Sequence, residues 1–200
     1  MKSRVLAAVF LALLTLRVTL KAQLVPFILP WNDASAGITD LSALNPPIDG
    51  ANARLGVNAD GHFQARGERV RLLGVNFAGD SPFMPTNNAE AVAARLAKFG
   101  VNCVRFHHMD ASWATGGGLL AYTGTSSRNV SAAQLERVHF LVSRLRAHGV
   151  YADINLLVGR EYRSGDGLGG EVTGMDWKDA HILGFFEPAA LALHKEYATK

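Results

Sequence analysis

The stretch Val101-Asn-Cys-Val-Arg-Phe-His-His-Met-Asp110 decides the fold. It is a short apolar run that follows a helical pattern and carries polar side chains at its C-terminal end. In repeated βα architectures, chemistry lies at the C-terminal ends of parallel strands. Alternation along a strand puts Arg105 and His107 on one face and Val104 and Phe106 on the other. We therefore predict a strand with one face packed under helices and the other facing a cavity.

Further strands and helices alternate on both sides of this run. We predict strands over 70–77, 101–107 and 150–158, and helices over 87–99, 131–148 and 187–197. Asn87 with Glu90, and Ser131 with Gln134, have the spacing of capping boxes at the first two helices. Such alternation predicts an α/β fold with a parallel sheet and right-handed crossovers.

The N-terminal part of the chain has a different character. Residues 1–22 combine a basic start with a short apolar run and predict a secretory signal peptide, with an uncleaved membrane anchor as the alternative. Residues 23–54 are rich in proline and glycine without a sustained period, which predicts an extended segment. Residues 55–69 predict a β-hairpin around the tight-turn pair Asp60-Gly61. We expect the remainder of the chain to be secreted or periplasmic, with no membrane association after signal cleavage.

Composition narrows the class of protein. The chain has 200 residues, 48% hydrophobic and 18% charged, which is typical of a globular protein. The net charge of +3, without a basic run, does not favour nucleic acid as a partner. The single Cys103 excludes an internal disulfide framework and a cysteine-based zinc site.

Residues 70–200 provide room for three βα units. A closed (β/α)8 TIM barrel needs about 250 residues, so we expect the first three units, the N-terminal portion, of a truncated barrel. A small open α/β sheet is the alternative. We favour the barrel because the first strand ends in Asn76-Phe-Ala-Gly-Asp-Ser-Pro82, which is not a glycine-rich phosphate turn.

Phe63 to Asp110 resembles the N-terminal part of a family 5-type glycoside hydrolase of the cellulase and endoglucanase kind. The similar segments are Gly61-His-Phe63, Arg69-Val-Arg-Leu-Leu-Gly-Val-Asn76, Ala94-Arg-Leu-Ala-Lys-Phe-Gly-Val-Asn102, Val104-Arg-Phe-His-His-Met-Asp110, 145–160 and Phe186-Glu-Pro188. The resemblance implies a barrel that hydrolyses a β-linked poly- or oligosaccharide with retention, through two glutamates and without a cofactor. It places the acid/base after an asparagine on a fourth strand and the nucleophile on a seventh.

The three predicted strands contain neither of these glutamates. Glu161, Glu171, Glu187 and Glu196 lie in loop or helix patterns, and none follows an asparagine. We therefore assign no catalytic carboxylate. The third strand of such enzymes often ends in a histidine, whereas Leu157 stands in the corresponding place here.

The resemblance and the strand ends together give candidate site residues. Arg105 is expected to orient the nucleophile and hold it ionised, with a structural ion pair as the alternative role. His107 is the first candidate for sugar hydroxyl contacts; His108, its neighbour, should point to the opposite side while the strand continues. The remaining substrate-binding candidates are Asn76, Asp110, Asn155 and Trp113. Asp153 is expected to be a structural partner deeper in the barrel.

Alternative chemistries have weaker support. His107, His108 and Asp110 are all possible metal ligands, but adjacent histidines do not suit one tetrahedral site, so we predict no metal. A serine or cysteine hydrolase lacks its Gly-x-Ser-x-Gly elbow, and Cys103 lies among apolar neighbours. The main competitor of the hydrolase is a non-catalytic carbohydrate-binding or structural remnant of such a barrel.

Overall fold

The parallel sheet at the centre of the structure is built from three of the eight strands in the described residues. The computed structural model describes Pro26, residues 29–114 and residues 117–200. The chain divides into the units Met1–Pro30 and Trp31–Lys200, and every described strand and helix belongs to the second. The predicted signal peptide, residues 1–22, lies outside the described residues.

The strands and helices are named in chain order. The strands are β1 Gly56–Val57, β2 Phe63–Ala65, β3 Glu68–Arg69, β4 Gly74–Phe77, β5 Cys103–Phe106, β6 Leu120–Thr123, β7 Ser126–Val130 and β8 Tyr151–Ile154. The helices are α1 Thr86–Lys98, α2 Ala132–Ala147, α3 Gly170–Thr173, α4 Trp177–Ala180 and α5 Pro188–Ala198. Single 3₁₀ turns are found at Ser42–Leu44, Ala51–Ala53, Ser81–Phe83, Ser164–Asp166 and Leu183–Phe185.

Strands β4, β5 and β8 form the parallel sheet in that order, with α1 and α2 as the crossovers. The two helices pack against each other. Val104 and Phe106 are fully buried beneath them, together with Ala93 of α1 and Leu141 of α2. Arg105, between Val104 and Phe106, is exposed. The predicted α/β class, the parallel sheet and the two faces of β5 are therefore confirmed.

The first predicted strand is shorter than expected. Residues 70–73 are not in a strand, because the side chain of Asn102 binds their backbone. The Leu73 amide donates to Asn102 Oδ1 at 2.8 Å, and Asn102 Nδ2 donates to the Arg71 carbonyl at 2.8 Å. A side chain can satisfy these groups but cannot extend a ladder, so regular pairing begins only at Gly74.

The two predicted helix caps have different outcomes. Ser131 Oγ accepts the Gln134 amide at 3.4 Å, so the cap of α2 is confirmed. The cap at Asn87 is wrong: α1 begins one residue earlier, at Thr86, and Pro85 occupies the cap position without a side-chain hydrogen bond. Proline is well suited to a helix start because its φ is already fixed near the helical value.

Two segments outside the parallel sheet are more ordered than expected. Strands β1 to β3 form an antiparallel meander, with the Asp60-Gly61 turn between the first two. The long loop after β5 contains the antiparallel hairpin β6–β7, which the sequence analysis missed. Its glycine, serine and threonine residues indicate a loop. In the structure, however, Leu120 and Ser127 are buried and hold the hairpin against the rest of the protein.

Candidate functional site

A row of polar residues crosses the open face of the parallel sheet. Asn76, Arg105 and Asp153 are in register on β4, β5 and β8. All three are exposed, since they face away from the side covered by α1 and α2. Asp153 lies on the open face, farther from the carboxyl end of β8 than Asn155, and its expected role as a structural partner stays a prediction. An open cleft of about 510 Å³ has Arg105, Asp153, Asn155 and Leu157 in its lining.

His107 and Asn155 extend this row beyond the ends of β5 and β8. Asn155 Nδ2 lies 3.0 Å from His107 Nδ1, which suits an amide donating to an unprotonated ring nitrogen. Partial burial, followed by the neighbouring His108 and Arg105, lowers the pKa of His107. The imidazole is thus neutral at neutral pH, with Asn155 fixing the orientation of its ring.

His108 lies beside His107 and not on the opposite side. Strand β5 ends at Phe106, and His108 has a φ of 62°, in the left-handed region. This turn brings the two imidazole rings to 4.0 Å between centroids. Trp113, in the loop after β5, and Trp177, the first residue of α4, pack on His108 with ring centroids 5.2 and 5.6 Å away. The expected separation of the two histidines fails because the strand has already ended.

Asp110 is buried, with only 1% of its surface exposed. Its two carboxylate oxygens accept the backbone amides of Val158 and Gly159, each at 2.9 Å. Burial raises the pKa of Asp110, and these two hydrogen bonds oppose the rise. The predicted sugar contact does not fit this position: the carboxylate holds the loop after β8 against the turn after β5.

Tyr122 of β6 joins the same two segments. Its hydroxyl donates to the Asp110 carbonyl at 2.5 Å and accepts the Glu161 amide at 3.0 Å. Burial keeps the pKa of this phenol well above its ordinary range, so it stays protonated. No local pattern in β6 predicts this role, because both partners of the hydroxyl lie in other segments of the chain.

The glutamates of the described residues have other partners or positions. Glu161 accepts the hydroxyl of Ser112 and pairs with Arg163 at 2.9 Å. Glu187 caps α5, and Glu196 pairs with Arg128 at 2.9 Å. Glu171 is exposed in α3. Over residues 29–114 and 117–200, no glutamate belongs to the polar row.

Metal and thiol chemistry find little support in the geometry. Within the described part of the chain, no group of three or more histidine, cysteine, aspartate or glutamate side chains is placed to hold a metal ion. Burial, and then the charge of Asp153, raises the pKa of the Cys103 thiol. A thiol with a raised pKa is a poor nucleophile at neutral pH, since the thiolate is the reactive form.

The structure thus brings together, at one edge of the sheet, most of the predicted site residues: Asn76, Arg105, His107, His108, Asn155 and Trp113. Asp110 is buried next to them.

None of the helices in the described residues is long and apolar enough to cross a bilayer. No protein-family model matches the chain, and neither the curated proteins nor the solved structures contain a significant match.

Proposed function

We propose that the chain is the N-terminal part of a retaining glycoside hydrolase with a (β/α)8 barrel, exported from the cytoplasm and acting on a β-linked poly- or oligosaccharide. The observation that carries the proposal is the polar row Asn76–Arg105–Asp153, continued by the His107–Asn155 pair at the carboxyl ends of two adjacent parallel strands. Barrel enzymes place their substrates at this edge.

Arg105 has the chemistry that such an enzyme needs next to its nucleophile. Its side chain is exposed at the centre of the row, and no hydrogen bond or ion pair holds it within the described residues. A free guanidinium at this point is suited to hold a carboxylate ionised and in a fixed orientation. In a retaining glycosidase the nucleophile and the acid/base lie about 5 Å apart, with the sugar between them.

The neutral His107 has a complementary role in the proposed site. Because its Nδ1 accepts from Asn155, its proton is on Nε2, which can donate to a sugar hydroxyl. A neutral donor next to Arg105 contacts sugar without adding a second positive charge to the cleft. This arrangement supports a neutral sugar as the substrate.

A non-catalytic carbohydrate-binding or structural remnant is the second candidate. The positions of Glu161, Glu187 and Glu196, each held by other groups away from the polar row, favour it. Both candidates use the same face of the sheet for sugar, and they differ only in whether acid and nucleophile glutamates complete it.

The coding sequence downstream of the Lys200 codon tests the proposal. For the hydrolase we expect an open frame with an Asn-Glu pair at a fourth strand end and a later strand-end glutamate. The protein encoded by that frame should hydrolyse a β-linked glucan or mannan. Replacing Arg105 with lysine should lower its turnover by at least about a hundredfold, since lysine cannot make the paired contacts of a guanidinium. A stop codon directly after Lys200 would contradict the hydrolase and leave the remnant.

A further inference from the structure

Several features of His108 call for an explanation that packing alone does not give. It is one of two non-glycine residues with a positive φ in the described part of the chain, at 62°. A left-handed backbone costs a β-carbon residue on the order of 1 kcal/mol. In addition, its Nδ1 atom is buried and has no hydrogen-bond partner among the residues that the structure describes. Strained backbone and unsatisfied polar atoms concentrate where a protein binds a ligand.

The buried Nδ1 indicates which ring nitrogen can act as a donor. It faces Gly159, where an added β-carbon would be 3.6 Å from it. An orphaned N–H group is rarer in proteins than an orphaned acceptor, so the position of Nδ1 suits an acceptor and that of Nε2 a donor. That leaves Nε2 as the donor that His108 offers to a ligand.

Trp113 provides a flat apolar surface beside this donor. Its ring lies 5.2 Å from the His108 ring and rests on the loop after β4, where Gly79 approaches the indole closely. A β-carbon added at Gly79 would be only 3.5 Å from Trp113 Cζ3. Even so, 52% of the Trp113 surface is exposed. An indole supported on one side and open on the other is a stacking platform, not a core residue.

Trp177 is the second indole in contact with His108. Its ring makes an edge contact with the imidazole at 5.6 Å. It also borders a pocket of about 210 Å³ whose other lining residues include Glu161, Arg163 and Asp176. Trp113 follows β5 and Trp177 follows β8. The fold therefore brings two indoles to His108 that are more than sixty positions apart in the sequence.

We propose that His108, Trp113 and Trp177 form a sugar-binding subsite that stacks the apolar face of a neutral pyranose on an indole and binds a hydroxyl through His108. The subsite rests on the proposed function for its substrate class, and it adjoins the polar row, since the His107 and His108 ring centroids are 4.0 Å apart. It would receive a sugar unit next to the one at the row, and so requires an oligosaccharide.

The lysine that already lies over Trp177 favours a neutral sugar over an organic cation, the other common ligand of aromatic clusters. Lys178 Nζ already lies over the Trp177 ring, 5.6 Å from its centroid. A second cation there would meet this ammonium group, and Arg163 is also close to the pocket. A neutral ring with hydroxyl groups meets no such repulsion and finds carboxylate, guanidinium and imidazole partners.

Binding of cellohexaose tests the subsite independently of catalysis. The chain has three tryptophans, and Trp31 is the control because Asp33, two residues further on, binds the C-terminal end of α1, opposite the proposed site. We expect cellohexaose, but not the α-linked maltohexaose, to bind in calorimetry and to change the tryptophan fluorescence of the purified Trp31→Phe protein. Trp113→Ala and Trp177→Ala should each weaken binding about tenfold or more, and Trp31→Ala less than twofold.

Two further variants keep the test sharp. Trp113→Phe retains a ring and should bind more tightly than Trp113→Ala, whereas His108→Ala should weaken binding without changing the specificity for the β-linkage. Wild-type affinity in both tryptophan variants, equal binding of maltohexaose, tighter binding of tetramethylammonium, or no binding of cellohexaose would each overturn the subsite. If the product of the complete reading frame binds cellohexaose without hydrolysing it, that result would contradict the proposed hydrolase and leave the subsite supported.

Discussion

Individual buried polar residues in this protein act mainly as ties between segments that are distant in sequence. Arg160, 3% exposed, donates to the hydroxyl and carbonyl of Ser127 and to the carbonyl of Leu193. Asp166 accepts the amide and hydroxyl of the same Ser127. These bonds join the β6–β7 hairpin, the loop after β8 and helix α5. Satisfying so many buried groups at once favours a single arrangement of the three segments.

His194 in α5 should make stability depend on pH. It is 6% exposed, its Nε2 lies 2.8 Å from the Tyr162 hydroxyl, and burial, followed by the charge of Arg160, lowers its pKa to about 4. The ordinary pKa of histidine is 6.5. Between that pH and pH 4, the unfolded chain therefore binds a proton at His194 that the folded chain does not bind. Stability should therefore be complete above pH 6.5 and fall by about 2–3 kcal/mol towards pH 4.

Urea unfolding at several pH values measures this dependence. His194→Phe should remove the His194 contribution, so that the difference between the two proteins isolates it from that of Asp110, whose raised pKa acts in the opposite direction. The same substitution at the exposed His181 is the control and should leave the pH dependence in place. An unchanged pH dependence in His194→Phe would contradict the prediction.

Asp110 should matter for stability more than its neighbours at the sheet edge. In Asp110→Asn one oxygen still accepts a backbone amide, but the new NH₂ group faces the other amide as a second donor. We expect the free energy of unfolding to fall by about 1–3 kcal/mol, as for an unsatisfied buried donor. Urea denaturation gives the value, with Asp60→Asn in the exposed turn as the control. Equal stability of the two variants would mean that the carboxylate is not the tie between the loops.

At the scale of elements, local sequence patterns predict some helices and strands, whereas others form through contacts with residues that are distant in the chain. The 3.6-residue periodicity of α1 and α2 and the alternation in β5 are visible in the sequence, since each depends on which side of the element is buried. Hairpin β6–β7 is not visible in this way. Its pairing depends on Ser127 reaching Arg160 and Asp166, more than thirty residues away in the chain. The pattern of residues within the hairpin does not indicate that Arg160 and Asp166 are its partners.

The two helix starts allow a matched comparison. Ser131→Ala removes the side-chain cap of α2 and should lower the free energy of unfolding by about 0.5–2 kcal/mol. Asn87→Ala, at the position where the sequence predicts the cap of α1, should change it by less than about 0.5 kcal/mol, because the exposed Asn87 lies within the helix, which begins at Thr86. Thermal unfolding of both variants provides the test, and a larger cost for Asn87→Ala would contradict the structure at this helix end.

At the scale of the whole molecule, the parallel sheet is open at β8. Among the described residues β8 pairs only with β5, so its other edge has no partner strand. Ile154 on this strand is 41% exposed. Beside it lies a largely apolar groove of about 430 Å³, with Leu156 and Tyr197 in its lining. An unpaired strand edge next to apolar surface is prone to pair with another chain.

We therefore expect the protein on its own to self-associate as its concentration rises. Ile154→Lys should keep it monomeric in sedimentation velocity, because a charge on an open strand discourages edge pairing. Ile38→Lys, at a fully exposed position, is the matched control and should associate like the wild type. A sharp unfolding transition of a monomer at every concentration would count against both the open edge and the barrel that we propose to continue from it.

The sequence by itself determined the βαβαβ order, the helix α2 with its Ser131 cap, and the face of β5 that carries Arg105 and His107. These features depend on neighbours within a few residues, where period and cap chemistry act directly. Only the tertiary structure decided that His108 turns back beside His107, that Asp110 is buried, and that Trp113 and Trp177 both contact His108. Those outcomes depend on where β5 ends and on bonds to loops some fifty residues away, which no local pattern encodes.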